Sequence, residues 1–163
     1  IDVKKLGNVT AGYIAGLIDG KGYVHYRFGH LVKRHPHEGA ETYITVSNTY
    51  KPILVYLQST LGGAIHANPP KNPKHRMRWF WKLGPQGTFT LLDRIAPYLQ
   101  VKREAANLIL SNKALITKTG PRTESEKKRL RGLTKKMRAL TKRGLSSFSN
   151  GDIMIRKAHG QPH

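Results

Sequence analysis

Few residue types in this chain are equipped for covalent or metal chemistry. It has no cysteine, which excludes thiol catalysis, disulfides and cysteine-ligated zinc. His25, His30, His35, His37, His66 and His75 are scattered, and among these six no pair has the helical or finger spacing of a zinc site. Contacts to solvent or to nucleic acid are expected of them instead. Acids are scarce: Asp2, Asp19, Glu38, Glu41, Asp93, Glu104, Glu124, Glu126 and Asp152 face 29 Lys plus Arg, for a net charge of +20. A polyanion is the default partner for that excess.

One short run stands out, Gly12-Tyr13-Ile14-Ala15-Gly16-Leu17-Ile18-Asp19-Gly20-Lys21-Gly22. Glycine inside a helix costs about 1 kcal/mol against alanine, so two glycines four apart need a reason. Gly12 and Gly16 share one helix face with Ala15 beside them, and small residues at that spacing let another backbone come close. The neighbour is either an element of the same domain or another molecule. Because the run occurs once, the same helix of a second copy about a two-fold axis is the simplest partner.

The elements that must position these residues can be read from periodicity. Thr10 to Asp19 is helical and is expected to stop at Gly20 and Gly22. Tyr23 to His30 and Glu41 to Ser47 alternate as strands, with a polar loop from Val32 to Gly39 between them. Residues 52–61 form a helix with Pro52 in its first turn, ended by Gly62-Gly63. Short strands follow near 64–68 and 76–83, joined through Pro69 to Lys74, then helices over about 86–98 and 102–116. A basic helix over about 122–143 starts at Pro121 and Thr123 and carries a stripe of Leu130, Leu133, Met137 and Leu140. It is either a solvated helix held by that stripe or a contact to phosphates. The tail, residues 146–163, is expected to be loosely held.

No apolar run approaches the ~20 residues of a membrane span, and the first residues do not read as a secretory signal. The reading is therefore one soluble, intracellular α+β domain of 163 residues. Its two hairpins should form one antiparallel sheet with helices on one face. The uncovered face would carry His25, Arg27, Tyr43, Thr45, His66, Asn68, Arg76 and Arg78, which is either an ordinary solvated face or, as the surplus of Arg and His over acids favours, a set of donors and acceptors suited to base edges in a DNA groove. Trp79 and Trp81 share a strand face with Met77 and Leu83, so core packing is expected of them rather than stacking on bases.

Ile14 to Gly22, read IAGLIDGKG, resembles the nine-residue signature of the LAGLIDADG homing endonucleases at six positions. Pro97-Tyr98-Leu99, with Lys102 and Ala106, resembles the downstream "PYL..K...A" segment of the single-motif members, and Val46-Ser47-Asn48-Thr49 is also similar. The resemblance covers roughly residues 10–116. It implies an αββαββα core with a saddle-shaped four-stranded sheet facing DNA. It also implies a homodimer joined through the signature helices (Gly12, Ala15, Gly16 and Asp19), a long, nearly palindromic duplex target, and cleavage with Mg²⁺. Genes of such proteins commonly lie in introns or inteins, so a prokaryotic cytoplasm or an organelle is the expected compartment. Lys102 matches a lysine near the active centre, and Asn48 and Lys51 match polar and basic residues beside it.

One departure matters. The eighth signature position holds the metal-binding Asp or Glu in the family; here it is Lys21. An ammonium cannot ligate Mg²⁺ and repels it, yet it can stand at the vacant cation position and attract phosphate. Fold and DNA binding are therefore expected to survive while cleavage is absent or greatly weakened. Asp19 is not the family's ligand and is expected to serve the helix end. Two alternatives stay open, a maturase-like intron-RNA binder on the same fold and a ribosomal-type RNA-binding protein. The ribosomal reading explains the charge but not the small-residue helix followed by the PYL segment.

Overall fold

A computed structural model of the chain describes residues 3–31, 37–72 and 74–158, with side chains as far as Lys142 apart from that of Lys4. Residues 32–36 of the expected Val32–Gly39 loop, His35 among them, and Pro73 of the second hairpin lie outside the described residues. The order is α1 (Asn8–Lys21), β1 (Gly22–Gly29), β2 (Gly39–Asn48), α2 (Lys51–Leu61), β3 (Ala64–Asn68), β4 (Arg78–Leu83), α3 (Pro85–Ile95), α4 (Arg103–Ser111), α5 (Lys113–Ile116) and α6 (Glu124–Ala158). The four strands form one antiparallel sheet in the order β1-β2-β4-β3. This is the α+β fold expected, with the αββαββα core. No helix among the described residues is long and apolar enough to cross a membrane.

Strand alternation sorts the side chains by face. Val24, Tyr26, Phe28, Ile44, Val46, Trp81 and Leu83 are buried in one core with Ile14, Ala15 and Ile18 of α1, Leu54 and Leu57 of α2, and Leu91, Leu92 and Ile95 of α3. Each fully buried side chain of this size contributes about 1.5–3 kcal/mol. As expected, Trp81 and Leu83 are core residues; Met77, the residue just ahead of β4, is exposed instead.

The α2–β3 turn shows why Gly62 and Gly63 stand there. Gly63 has φ +84°, and a Cβ on it would lie 2.6 Å from the Lys82 carbonyl oxygen and 2.8 Å from Trp81 Nε1. The Gly62 carbonyl accepts the indole N–H of Trp81 at 2.7 Å. The turn therefore closes on the largest core side chain and satisfies its only donor.

Helix ends depart from expectation for identifiable reasons. α1 does not stop at Gly20, because Gly20 keeps a negative φ; the helix runs to Lys21, and the Gly22 N–H bonds to the Ile18 carbonyl. The segment near 86–98 ends as α-helix at Ile95 and continues as a 3-10 turn, Ala96–Tyr98. Pro97 has no N–H with which to extend the ladder. The segment near 102–116 breaks at Asn112, whose side-chain N–H bonds back to the Leu108 carbonyl at 2.8 Å. α6 begins with a reciprocal cap: the Glu126 N–H bonds to Thr123 Oγ1 at 3.2 Å and the Thr123 N–H to Glu126 Oε2 at 2.8 Å. Its helical backbone continues past Ser146 to Ala158.

α6 docks against the outer edge of the sheet. Leu130, Leu133 and Met137 are buried. The Phe28 N–H, on edge strand β1, bonds to Thr134 Oγ1 at 3.1 Å, and the Tyr26 hydroxyl donates to the Leu130 carbonyl at 3.4 Å. A bare edge amide is thereby satisfied and part of the edge is closed to other strands.

Candidate nucleic-acid interface

The C-terminal end of α1 brings the signature residues together. The Asp19 carboxylate accepts the backbone N–H groups of Gln100, Val101 and Lys102 at 2.6, 3.2 and 2.9 Å. It thus holds the turn that leads into α4. The Lys102 ammonium turns back and donates to the Asp19 carbonyl at 2.6 Å, where the helix dipole is negative. Burial lowers the pKa of Lys102 below its ordinary value, against the opposing pull of Asp19. Lys21, the last residue of α1, is exposed.

The same end of the sheet carries the other site residues. The β1–β2 ladder opens with Gly22 opposite Val46, so Ser47 and Asn48 end β2 beside the α1 terminus. Asn48 Oδ1 accepts the Tyr50 N–H at 3.0 Å, which shapes the entry to α2. Asn48 pairs with Trp79 across the ladder, and the Lys51 ammonium lies 4.3 Å from the centre of a Trp79 ring. Three lysines and an asparagine therefore gather where the sheet meets α1 and α2.

This donor set does not fit Mg²⁺, which needs hard oxygen ligands. Asp19 is spent on backbone N–H groups, Lys21 is cationic, and no cluster of three His, Cys, Asp or Glu that could hold a metal occurs among the described residues.

The second part of the interface is the sheet face opposite the core. By register, His25, Arg27, Tyr43, Thr45, His66, Asn68 and Arg78 all lie on it. Arg76 is exposed but precedes β4, outside the ladder. Alternation continued from Arg78 also places Phe80 and Lys82 there, with Tyr23, Glu41 and Ser47 from β1 and β2. The period-two pattern of the strand expected near 76–83 holds that information, although the open-face residues expected from it end at Arg78.

These side chains are organised. The His25 ring stacks on Tyr43 at 4.2 Å, Lys82 Nζ sits 4.0 Å from the Tyr43 ring centre, and His66 stacks on Phe80 at 5.0 Å. Glu41, the one acid on this face among the described residues, accepts from His25 Nε2 at 3.2 Å and lies 3.5 Å from Arg27 Nε. Burial lowers the His25 pKa below its ordinary value despite the hydrogen bond to Glu41, which favours the neutral imidazole.

The third part is the outer face of α1. Ala11, Ile14, Ala15 and Ile18 point into the core, which leaves Val9, Tyr13, Gly16 and Gly20 exposed. Gly16 and Gly20 have nothing within 4 Å of a built Cβ, whereas one on Gly12 would meet Tyr98 at 3.8 Å. Two of the four residues expected at a helix–helix contact therefore work inside the chain. Ala15 is fully buried in its own core, and the Asp19 carboxylate is engaged by residues 100–102. Val9 and Tyr13 were not anticipated there, although they extend the Gly12–Gly16 stripe at spacings of three and four.

No protein-family model matches the chain, nor does any curated protein sequence. Solved structures do. The homing endonuclease I-CvuI in complex with its target matches with a TM-score of 0.66 and 22% identity, over 81% of this chain and 82% of that one. A second I-CvuI complex, in the presence of Mg with its DNA not cleaved, matches with a TM-score of 0.52 and 20% identity, over 79% and 94%. The LAGLIDADG homing endonuclease I-SmaMI bound to cleaved DNA matches with a TM-score of 0.52 and 15% identity; 76% of this chain aligns with 42% of that one. With the open sheet, the glycine-bearing first helix and one copy of the signature run already in place, these matches establish that the chain has the fold of the LAGLIDADG homing endonucleases.

Proposed function

We propose that this chain is a site-specific binder of duplex DNA built on a homing-endonuclease scaffold. It acts as a homodimer, and its own capacity to cut is absent or greatly weakened. The observation that carries the reading is the open sheet face. Arginine, lysine, histidine, asparagine and tyrosine side chains project from four strands with a single acid among the described residues. Arginine matches guanine O6 and N7, asparagine matches adenine N6 and N7, and a carboxylate accepts from cytosine N4. One such face reads a half-site, and two faces about a dyad read a nearly palindromic target.

Homodimerisation follows from the exposed stripe on α1, where small residues permit close approach. Weakened cutting follows from Lys21. With an ammonium at the eighth signature position and Asp19 committed elsewhere, no metal-binding cluster of acids stands at the end of α1 among the described residues. The lysines there attract phosphate without supplying a metal ligand. The site of action is intracellular, where such a duplex is found.

The test is binding by selection from random duplexes in ~0.15 M salt, with a structured RNA as competitor, because low salt lets any strongly cationic protein bind both. Enrichment of one two-fold-related sequence that resists RNA competition supports the reading. Preference for the RNA would replace it with the maturase-like or ribosomal-type alternative. On the selected duplex, Lys21→Asp and Lys21→Glu should restore Mg²⁺-dependent cutting. If neither variant cuts a duplex that it still binds, the assignment of position 21 is wrong.

A further inference from the structure

The α6 helix carries more charge than docking requires. Its buried side is Leu130, Leu133, Thr134 and Met137. On the far side Lys128, Arg131, Lys135, Arg138 and Lys142 recur at spacings of three and four, and all five are exposed. At 1.5 Å per residue they form one straight cationic ridge about 21 Å long. Arg131 pairs with Glu38 at 2.7 Å; the other four have no ion-pair partner among the described residues.

Taken in order around the helix circumference, the contacts fix where the ridge points. Arg129 Nε donates to Asn112 Oδ1, which marks the side of α4 and α5. Leu130, Leu133 and Met137 face the core. Thr134, further around, reaches the edge N–H of Phe28 in β1, and Arg131, further still, reaches Glu38 just ahead of β2. The ridge follows Arg131 in that sequence. It therefore stands beyond the β1 edge, on the side turned away from the α4–α5 layer, and borders the open face of the sheet.

We propose that this ridge binds the phosphates of duplex DNA that flank the stretch lying under the sheet. The proposal rests on the DNA-binding reading and extends it to a second, sequence-independent surface. Laid along the duplex axis, the ridge spans the length of about six base pairs at 3.4 Å per step. Its rigid docking through Tyr26, Phe28 and the leucine stripe holds the charges in line before DNA arrives, which lowers the ordering cost of binding. Phosphate contacts add affinity and fix position but carry no sequence information.

The experiment compares two double variants of equal charge. Lys135→Gln/Lys142→Gln removes two charges from the ridge, and Lys113→Gln/Lys136→Gln removes two from exposed positions elsewhere on α5 and α6. Affinity is measured against salt for a random-sequence duplex and for the duplex selected with the unsubstituted chain. Because both subunits carry the substitutions, the ridge variant should flatten the slope of log K against log salt by about 3.6 for the bound dimer, at about 0.9 for each of four phosphate contacts, and shorten the footprint at its outer ends. Its ratio of selected to random affinity should stay unchanged, and the control variant should leave slope and footprint as they were. Equal slopes for the two variants would overturn the proposal, as would a loss confined to structured RNA. Failure of selection to enrich any sequence would count against site-specific reading, while the slopes on random duplex would still decide the ridge.

Discussion

Asp19 is excluded as a metal ligand by the sequence alone, but the segment it holds is visible only in the structure. It sits in a signature run where carboxylates suggest metal, yet its oxygens accept three backbone N–H groups at the entry to α4. Hydrogen bonds to a charged acceptor are worth about 1.5–3 kcal/mol, and unmet donors cost more when desolvated. Asp19→Ala should therefore destabilise the fold by about 2–3 kcal/mol, seen as a lower midpoint in urea with an unchanged slope. Asp19→Asn should lose less, because the amide oxygen still accepts. Equal stability of Asp19→Ala and the parent would show that solvent serves those N–H groups as well. Lys102, held on the carbonyl of Asp19 itself, ties the same two segments from the other side.

At the scale of elements, the α2–β3 connection is the most constrained joint. Gly63→Ala must place an alanine in the left-handed region, at about 1–2 kcal/mol, and its Cβ collides with backbone rather than with a movable side-chain end. A loss of about 3 kcal/mol is expected, with a change in Trp81 fluorescence because its indole N–H is anchored at Gly62. A neutral result would mean that the turn relaxes freely. The helices of the second half show the complementary lesson. Pro97 and Asn112 each interrupt a periodic apolar pattern, so what reads as two long helices becomes shorter segments that bend around the core.

The whole molecule turns on the exposed face of α1. Val9 is 88% and Tyr13 52% exposed, and Gly16 meets no atom that a Cβ would touch. Gly16→Leu should accordingly fold as well as the parent, with helix propensity in its favour by up to about 1 kcal/mol. It should sediment as a monomer where the parent is a dimer. DNA affinity should fall by about 100-fold or more, because two linked half-sites become one. A dimer that tolerates leucine at this position would place the contact elsewhere and remove the basis for a two-fold target.

The sequence by itself determined a good deal. Periodicity located the strands, the paired glycines after α2 and the leucine stripe of α6, and the eighth signature position alone revealed the lysine in place of an acid. Seven of the eight residues assigned to the open face lie on it by strand register, since a period of two leaves no other choice once one face is apolar. Tertiary structure decided what local pattern cannot encode. Only packing shows that Ala15 faces inward while Gly16 does not, because a helix of alanine, glycine and isoleucine has apolar residues on every side. Only the approach of residues 100–102 assigns Asp19 to backbone capping. Only the docking of α6 on the β1 edge turns a run of lysines and arginines into a directed ridge. Each of these depends on contacts between segments distant in the chain, and such contacts are selected by the three-dimensional fit of whole surfaces rather than by the order of residues within one.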